Sequence, residues 1–323
     1  MLNPTQDAIH PHMIIEALSE QTLYIPPYTP RRGSEAADNL KLTIADFLPP
    51  QPPRPNKVPL PDWSFWVVKV LCTPVGGAFA DAIDAAFQGQ DGNSSRAEGI
   101  TCGIMLSFLV FALVLQFRLS TYVPMVYWIV VILMSIVGTL ITDSLVNILD
   151  VMKWQTTVGF GLALIIVFIA WYATEKTLSI QAINTTIREA FYWLAVLFTF
   201  ALGTTIGNEM TVDLLQNTYW ESVLVCSGII GVVVGCFYGL KGAVDLGVPI
   251  FWVVFVMTSP LGTSFGDLLA RDTSEGGAGF GIVSTSVLFV GVISVLIAFM
   301  HYEESKKALS LAKEQNLADN SQI

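Results

Sequence analysis

A segment that occurs four times constrains the fold of this chain more than any other feature of its sequence. The copies are WVVKVLCTPVGGAFAD at 66–81, WIVVILMSIVGTLITD at 128–143, WLAVLFTFALGTTIGN at 193–208 and WVVFVMTSPLGTSFGD at 252–267. In each copy a glycine follows the tryptophan by ten residues, Gly or Thr comes next, and Asp or Asn follows the tryptophan by fifteen. The tryptophans are 62, 65 and 59 residues apart. Four copies in register indicate internal duplication of one structural unit.

The repeated segments are apolar, and so is the whole chain. Of its 323 residues, 53% are apolar and 13% are charged. Each segment is followed by a second apolar run, at about 100–117, 156–173, 222–240 and 281–300, and a helix needs roughly 20 apolar residues to cross a bilayer. We therefore predict an all-α polytopic membrane protein with eight transmembrane helices, built as four parallel two-helix repeats behind a proline-rich N-terminal tail.

The predicted boundaries follow from where the apolar runs begin and end. They are a cytosolic, proline-rich and largely disordered tail at 1–61, repeats at 62–120, 121–185, 186–244 and 245–302, and a cytosolic C-terminal tail at 303–323. The side that holds both termini carries most Lys and Arg residues, whereas the other side has only Arg96, Lys153 and Arg271. The positive-inside rule then places both termini in the cytoplasm, and it places the repeated tryptophans, each preceded by an aromatic residue, in the cytoplasmic aromatic belt.

Carboxylates inside membrane helices are costly and are therefore functional candidates. The Thr and Asp of one segment are four residues apart, which puts hydroxyl and carboxylate on one helix face. Candidate ligands for a substrate or ion are Asp81, Asp143, Asp267, Asn208, Glu209, Thr139, Thr204, Thr263 and Lys69. Such an oxygen-rich lining suits hard cations or protons, so Asp81, Asp143 and Asp267 are also candidate ligands of a metal of unknown identity.

Two groups of residues have two interpretations each. The first group, expected either to break helices or to pack them, is Gly76, Gly138, Gly203, Gly262, Pro74 and Pro260. Lys69, which occurs only in the first copy, either extends its ammonium to the cytoplasmic interface or acts as a counter-ion for a membrane carboxylate.

The arrangement of the repeats is also open at this level. Four parallel segments can surround one axis and present Asp81, Asp143, Asn208 and Asp267 as a ring. We favour the alternative, in which two broken helices, the proline-containing segments of the first and fourth copies, face each other across a cavity.

The stretches KVPLPDWSFWVVKVLCTPVGGAFAD, FYWLAVLFTFALGTTIGN and FWVVFVMTSPLGTSFGD carry a family resemblance. Over about residues 57–300 the chain resembles a bacterial family of predicted membrane-anchored proteins that is defined by a tandem transmembrane repeat of unknown function. The resemblance implies a bacterial inner-membrane protein with four W-x9-G-[GT]-x3-[DN] copies, and it implies no activity.

The sequence favours a membrane transporter of a small solute, either a cation or a proton-coupled substrate. The alternative is a non-transporting scaffold or sensor that recruits a cytosolic partner through its N-terminal tail. An enzyme is not expected, because no H-E-x-x-H motif and no nucleophile and base pair is present in the spans. No cofactor and no nucleic acid are expected; the expected partners are the lipid bilayer and the solute, and association with further copies of the chain is left open.

Overall fold

The computed structural model describes residues 55–91, 94–210, 219–240 and 247–320, and every structural statement below concerns these residues. Within them the backbone is all-α, as predicted, and it contains eight long helices. They are α1 (Trp63–Asp91), α2 (Ser94–Arg118), α3 (Pro124–Asn147), α4 (Lys153–Glu175), α5 (Thr186–Asn208), α6 (Tyr219–Leu240), α7 (Gly247–Ala270) and α8 (Ile282–Asn320). By length and composition, each of the eight is able to cross a membrane.

Local sequence signals set where several helices start and stop. Asp62 caps α1, because its Oδ1 accepts hydrogen bonds from Ser64 Oγ at 2.7 Å and from the backbone N–H of Phe65 at 2.8 Å. Helix α3 begins at Pro124, whose missing N–H is not needed in the first turn. Helix α4 ends where Lys176 takes a left-handed conformation, with φ of 56°.

The first helices of the four repeats form a closed ring. Helix α1 packs on α3, α3 on α5, α5 on α7, and α7 on α1. These inner helices are parallel, because their tryptophan ends lie together at one end and their Asp or Asn positions lie together at the other. The ring is therefore the arrangement present, and the favoured arrangement of two facing helices was wrong.

The repeated glycines form the contacts between neighbouring inner helices. A Cβ at Gly138 would stand 3.0 Å from the Cβ of Phe200, and at the other three glycines the approach is closer still. The contacts run around the ring in order, from Gly76 to Ser135, from Gly138 to Phe200, from Gly203 to Ser259, and from Gly262 to the carbonyl oxygen of Val70. Small residues let membrane helices approach until their backbones touch, so these positions pack the ring.

An aromatic layer closes the tryptophan end of the ring. In each repeat the aromatic residue before the tryptophan contacts the tryptophan of the next inner helix. The ring centroids are 5.5 Å apart for Phe65 and Trp128, 5.4 Å for Tyr127 and Trp193, 6.1 Å for Tyr192 and Trp252, and 5.5 Å for Phe251 and Trp66. Trp128, Trp193 and Trp252 are buried against protein, so they pack the bundle; their place at the cytoplasmic interface stays a prediction.

The second helices surround the ring, each of them displaced toward the next repeat. Helix α2 packs more on α3 than on α1, α4 packs more on α5 than on α3, and α6 packs mainly on α7. Helix α8 completes the cycle by packing mainly on α1. The two helices of one sequence repeat are therefore not each other's main packing partners, and the displacement ties neighbouring repeats together.

The two membrane prolines do not interrupt their helices. Helix α1 continues through Pro74 and α7 continues through Pro260. The expected helix breaks are thus absent, and both prolines serve as packing surfaces for glycines: Pro74 for Gly266, and Pro260 for Gly203 and Gly207. Each proline still removes one backbone hydrogen bond from its helix.

The predicted N-terminal tail lies outside the described residues except for its last part, 55–61. Here Asn56 pairs with the connection between α4 and α5: its Nδ2 donates to the carbonyl of Ile180 at 2.9 Å, and its Oδ1 accepts from the N–H of Ile183 at 3.1 Å. Lys57 forms a salt bridge of 2.7 Å with the buried carboxylate of Glu189. Residues 56–58 therefore belong to the folded bundle. At the other end, α8 runs on as helix to Asn320, through most of the predicted C-terminal tail.

Candidate functional site

A cavity of about 240 Å³ lies inside the ring, at the end opposite the aromatic layer. All four inner helices and the first turns of α8 contribute to its wall. Seven of the predicted site residues line it: Asp81, Asp143, Asn208, Asp267, Thr139, Thr204 and Thr263. The repeat places them there because each of these threonines follows the repeated glycine by one residue. The Asp or Asn comes one helical turn later on the same face of the helix.

The threonines form a level of hydroxyls deeper in the cavity than the carboxylates. The Oγ1 atoms of Thr139 and Thr204 lie 3.3 Å apart, within hydrogen-bond distance across the α3–α5 seam. Thr204 also donates to the carbonyl of Phe200 at 3.1 Å, and Thr263 donates to the carbonyl of Ser259 at 3.3 Å. Their lone pairs stay available to a donor in the cavity.

Two further threonines in the wall were not predicted. Thr73 of α1 and Thr285 of α8 are 3% and 4% exposed, and the hydroxyl oxygen of neither has a hydrogen-bond partner among the described residues. Both oxygens are covered by protein, and the Thr73 side chain packs against Gly262 of α7, so these two residues belong to the wall without presenting an accessible hydroxyl to the cavity. For Thr285 the sequence held a weak signal, the polar run Ser284-Thr285-Ser286 near the start of an apolar helix.

Arg271 supplies the one guanidinium among the described residues of the cavity wall. In the sequence it contributed only to the prediction of which side of the membrane holds the termini. Its Nε lies 3.5 Å from Oδ1 of Asp267, one helical turn away. Burial acts to lower the pKa of Arg271, but Asp267, Tyr219 and Glu275 together raise that pKa above its ordinary value. The guanidinium therefore stays charged and offsets one of the three carboxylates.

Two predicted site residues lie away from this cavity. Glu209 is the C-terminal cap of α5, its backbone N–H donates to the carbonyls of Thr205 and Ile206, and it is not part of the cavity wall. Lys69 is fully buried in the ring, so its ammonium does not extend to an interface. Its Nζ donates to Ser259 Oγ at 3.0 Å.

The three carboxylates of the cavity wall are not gathered into one group. Among the described residues, no group of three or more His, Cys, Asp or Glu side chains lies close enough together to hold a metal ion. Asp81, Asp143 and Asp267 share the cavity but are spread around its wall, because they come from three different helices of the ring. The expectation that they jointly ligate a metal is not supported by this geometry.

Comparison with known proteins supports the repeat and leaves the activity open. Two segments, 126–177 and 250–305, match a family model described as Repeat of Unknown Function (DUF347). Each segment covers the tryptophan-led helix of one repeat and most of the apolar helix after it. No curated protein and no solved structure matches the chain.

Proposed function

We propose that this protein is a membrane transporter of a small cationic solute and that the cavity in the ring is its binding site. The observation that carries the proposal is the cavity wall, in which Asp81, Asp143 and Asp267 stand beside the repeated threonines Thr139, Thr204 and Thr263. The wall carries three carboxylates, and carboxylate oxygens attract cations.

The lining favours a cation that keeps its own hydrogen-bond donors. Carboxylates spread around a wall do not strip a metal ion of its water, whereas they do accept hydrogen bonds from an ammonium group or from a hydrated ion. A proton that is carried on one of these carboxylates provides a coupling ion of the same charge.

The cavity is accessible from one end only in this state. On the other side of the hydroxyl level the axis is filled by Lys69, and then by the aromatic layer with Phe65, Tyr127 and Tyr192, all of them fully buried. If both termini are cytoplasmic, as the distribution of Lys and Arg predicts, the cavity opens to the far side of a bacterial inner membrane. The structure then represents an outward-open state.

A transport cycle requires the closed end to open, and the seam between α1 and α7 is suited to this movement. Both helices lack a backbone hydrogen bond at a proline, and Gly262 and Gly266 of α7 contact α1 at Val70, Thr73 and Pro74. Flat, glycine-mediated contacts permit sliding, and a proline permits bending, so this seam is the proposed gate.

The test uses purified protein in proteoliposomes and a panel of Na⁺, K⁺, Mg²⁺, Mn²⁺, ammonium and methylammonium. We expect at least one cation to cross faster than in empty liposomes and to raise the thermal unfolding midpoint saturably. The Asp143→Asn/Asp267→Asn double variant should lose both effects while remaining folded. Asp150→Asn is the matched control, because Asp150 lies outside the cavity wall and asparagine tolerates its φ of 52°. Flux that is unchanged in the double variant would overturn the proposal.

A scaffold that recruits a partner through the N-terminal tail is the second candidate. The observation in its favour is the firm attachment of residues 56–58 to the bundle, by the hydrogen bonds of Asn56 and the salt bridge of Lys57. Deleting residues 1–54 keeps this attachment. A transporter should retain flux after the deletion, whereas a scaffold should lose its cellular phenotype and show no flux in either form.

A further inference from the structure

The fully buried side chain of Lys69 reaches across the axis of the ring. Lys69 belongs to α1, but its Nζ lies 3.5 Å from the ring centroid of Phe200 on α5, the helix diagonally opposite in the ring order. It also lies 4.6 Å from the ring centroid of Phe255 and donates to Ser259 Oγ at 3.0 Å, both on α7. The ammonium is therefore bound by groups from two helices other than its own.

The surroundings of the ammonium have the chemistry of a cation site. Two aromatic faces within about 6 Å of a cation attract it through their ring quadrupoles. A hydroxyl oxygen accepts one of the three ammonium protons. The corresponding positions in the other three repeats are Val131, Val196 and Phe255, so only the first of the four equivalent positions holds a lysine.

The ammonium lies one helical turn beyond the cavity. Lys69, Phe200 and Ser259 are each followed four residues later by a threonine of the cavity wall, and these threonines are Thr73, Thr204 and Thr263. Residues four apart lie on the same face of a helix, about one turn of 5.4 Å apart along its axis. The lysine thus fills the axis between the cavity and the aromatic layer.

We infer that Phe200, Phe255 and Ser259 form a binding site for a primary ammonium group, and that Lys69 occupies this site in the present state and closes the axis. Burial of an ammonium at mid-membrane is costly, and a packing role is served equally well by an apolar residue such as those at the equivalent positions. The inference concerns binding alone and does not depend on the proposed transport.

Chemical rescue tests the site directly. Lys69→Ala removes the atoms from Cγ to Nζ, and propylammonium has the same three carbons and one nitrogen. We expect propylammonium to raise the unfolding midpoint of Lys69→Ala saturably, by about 3 °C or more, and to leave the wild type unchanged because its site is filled. 1-Propanol is the uncharged control and should give a much smaller shift. An equal shift with 1-propanol, an equal shift in the wild type, or no shift at all would overturn the inference.

A second measurement keeps the inference testable if Lys69→Ala does not fold. Replacing Phe200 by trifluorophenylalanine weakens the negative face of the ring and changes its shape little. The unfolding midpoint should fall more than it does with the same replacement at Phe198. The ring of Phe198 is partly buried, and its centroid lies 6.3 Å from that of Phe160. Equal effects at the two positions would show that no cation is held on Phe200. Both tests measure the unfolding midpoint, whereas the proposed function is tested by cation flux into liposomes. A negative result here is therefore distinguishable from failure of the proposed function.

Discussion

Gly203 of α5 and Ser259 of α7 approach so closely that a Cβ at Gly203 would overlap the Cβ of Ser259. Ser259 stands seven residues after its tryptophan, and so do Thr73, Ser135 and Phe200, which the other three repeated glycines contact. One contact is therefore used four times around the ring. Ser259 also accepts a hydrogen bond from the ammonium of Lys69. This one residue therefore contributes both to the packing of the ring and to the closure of its axis.

Gly203→Ala should destabilise the protein, because the new Cβ would overlap the Cβ of Ser259, a fully buried residue whose hydroxyl holds Lys69. We expect a loss of about 1–3 kcal/mol, the usual range for overpacking. Gly228→Ala on α6 is the matched control, since a Cβ there meets no atom within 4 Å and alanine favours the helix. Thermal or denaturant unfolding in detergent measures the stability of both variants. Equal stability would contradict the close contact between Gly203 and Ser259.

The hydroxyls of Tyr127 and Tyr192 are hydrogen-bonded at 2.5 Å inside the aromatic layer. Tyr127→Phe should cost about 1–3 kcal/mol, because it leaves the hydroxyl of Tyr192 buried without this partner. The Tyr127→Phe/Tyr192→Phe double variant should cost less than the sum of the single variants, since it removes both hydroxyls. Tyr172→Phe, at a residue 57% exposed, is the control and should change the free energy of unfolding little. Strict additivity of the two single changes would argue against the pair.

The salt bridge between Lys57 and Glu189 should contribute more than any exposed pair. Glu189 is 1% exposed and also accepts a hydrogen bond from Gln116 Nε2 at 3.2 Å. Glu189→Gln should lower the free energy of unfolding by about 1.5–3 kcal/mol, because the ammonium of Lys57, which is 14% exposed, loses a hydrogen bond to a charged group. Glu304→Gln breaks the exposed pair with Lys307 and should cost less than about 1 kcal/mol. A small effect at Glu189 would show that residues 56–58 are not held by this charge.

Thiol labelling should show which end of the ring is open. In a variant without the native cysteines, Ala78→Cys places a thiol in the cavity wall, and Val68→Cys places one at a fully buried position. A membrane-impermeant thiol reagent should label Ala78→Cys from the side opposite the termini and leave Val68→Cys unlabelled. Labelling of Ala78→Cys only from the side of the termini would show that the cavity opens at the tryptophan end of the ring instead.

Much of the candidate site was predictable because it is repeated. Any single Thr or Asp at a helix end is a weak signal, whereas Thr139, Thr204 and Thr263 recur at one distance from a tryptophan and therefore take equivalent places in the ring. Glu209 has no counterpart at its position in the other copies, and it lies away from the cavity wall. Thr285 was missed because it belongs to the second helix of a repeat, where no repeated motif marks the inner face.

The sequence by itself determined that the chain is helical, that eight of its helices are able to cross a membrane, and that four of them are equivalent. Length and hydropathy are local properties of a segment, and a repeat is visible in the chain without knowledge of its neighbours. Only the tertiary structure decided that the equivalent helices form a ring, that each second helix packs on the next repeat, and that Lys69 turns inward to Phe200. In a bilayer every helix is apolar on most of its surface, so hydropathy does not distinguish one neighbour from another. The choice depends on close fit between glycines and the residues opposite them, and that fit exists only once the helices are side by side.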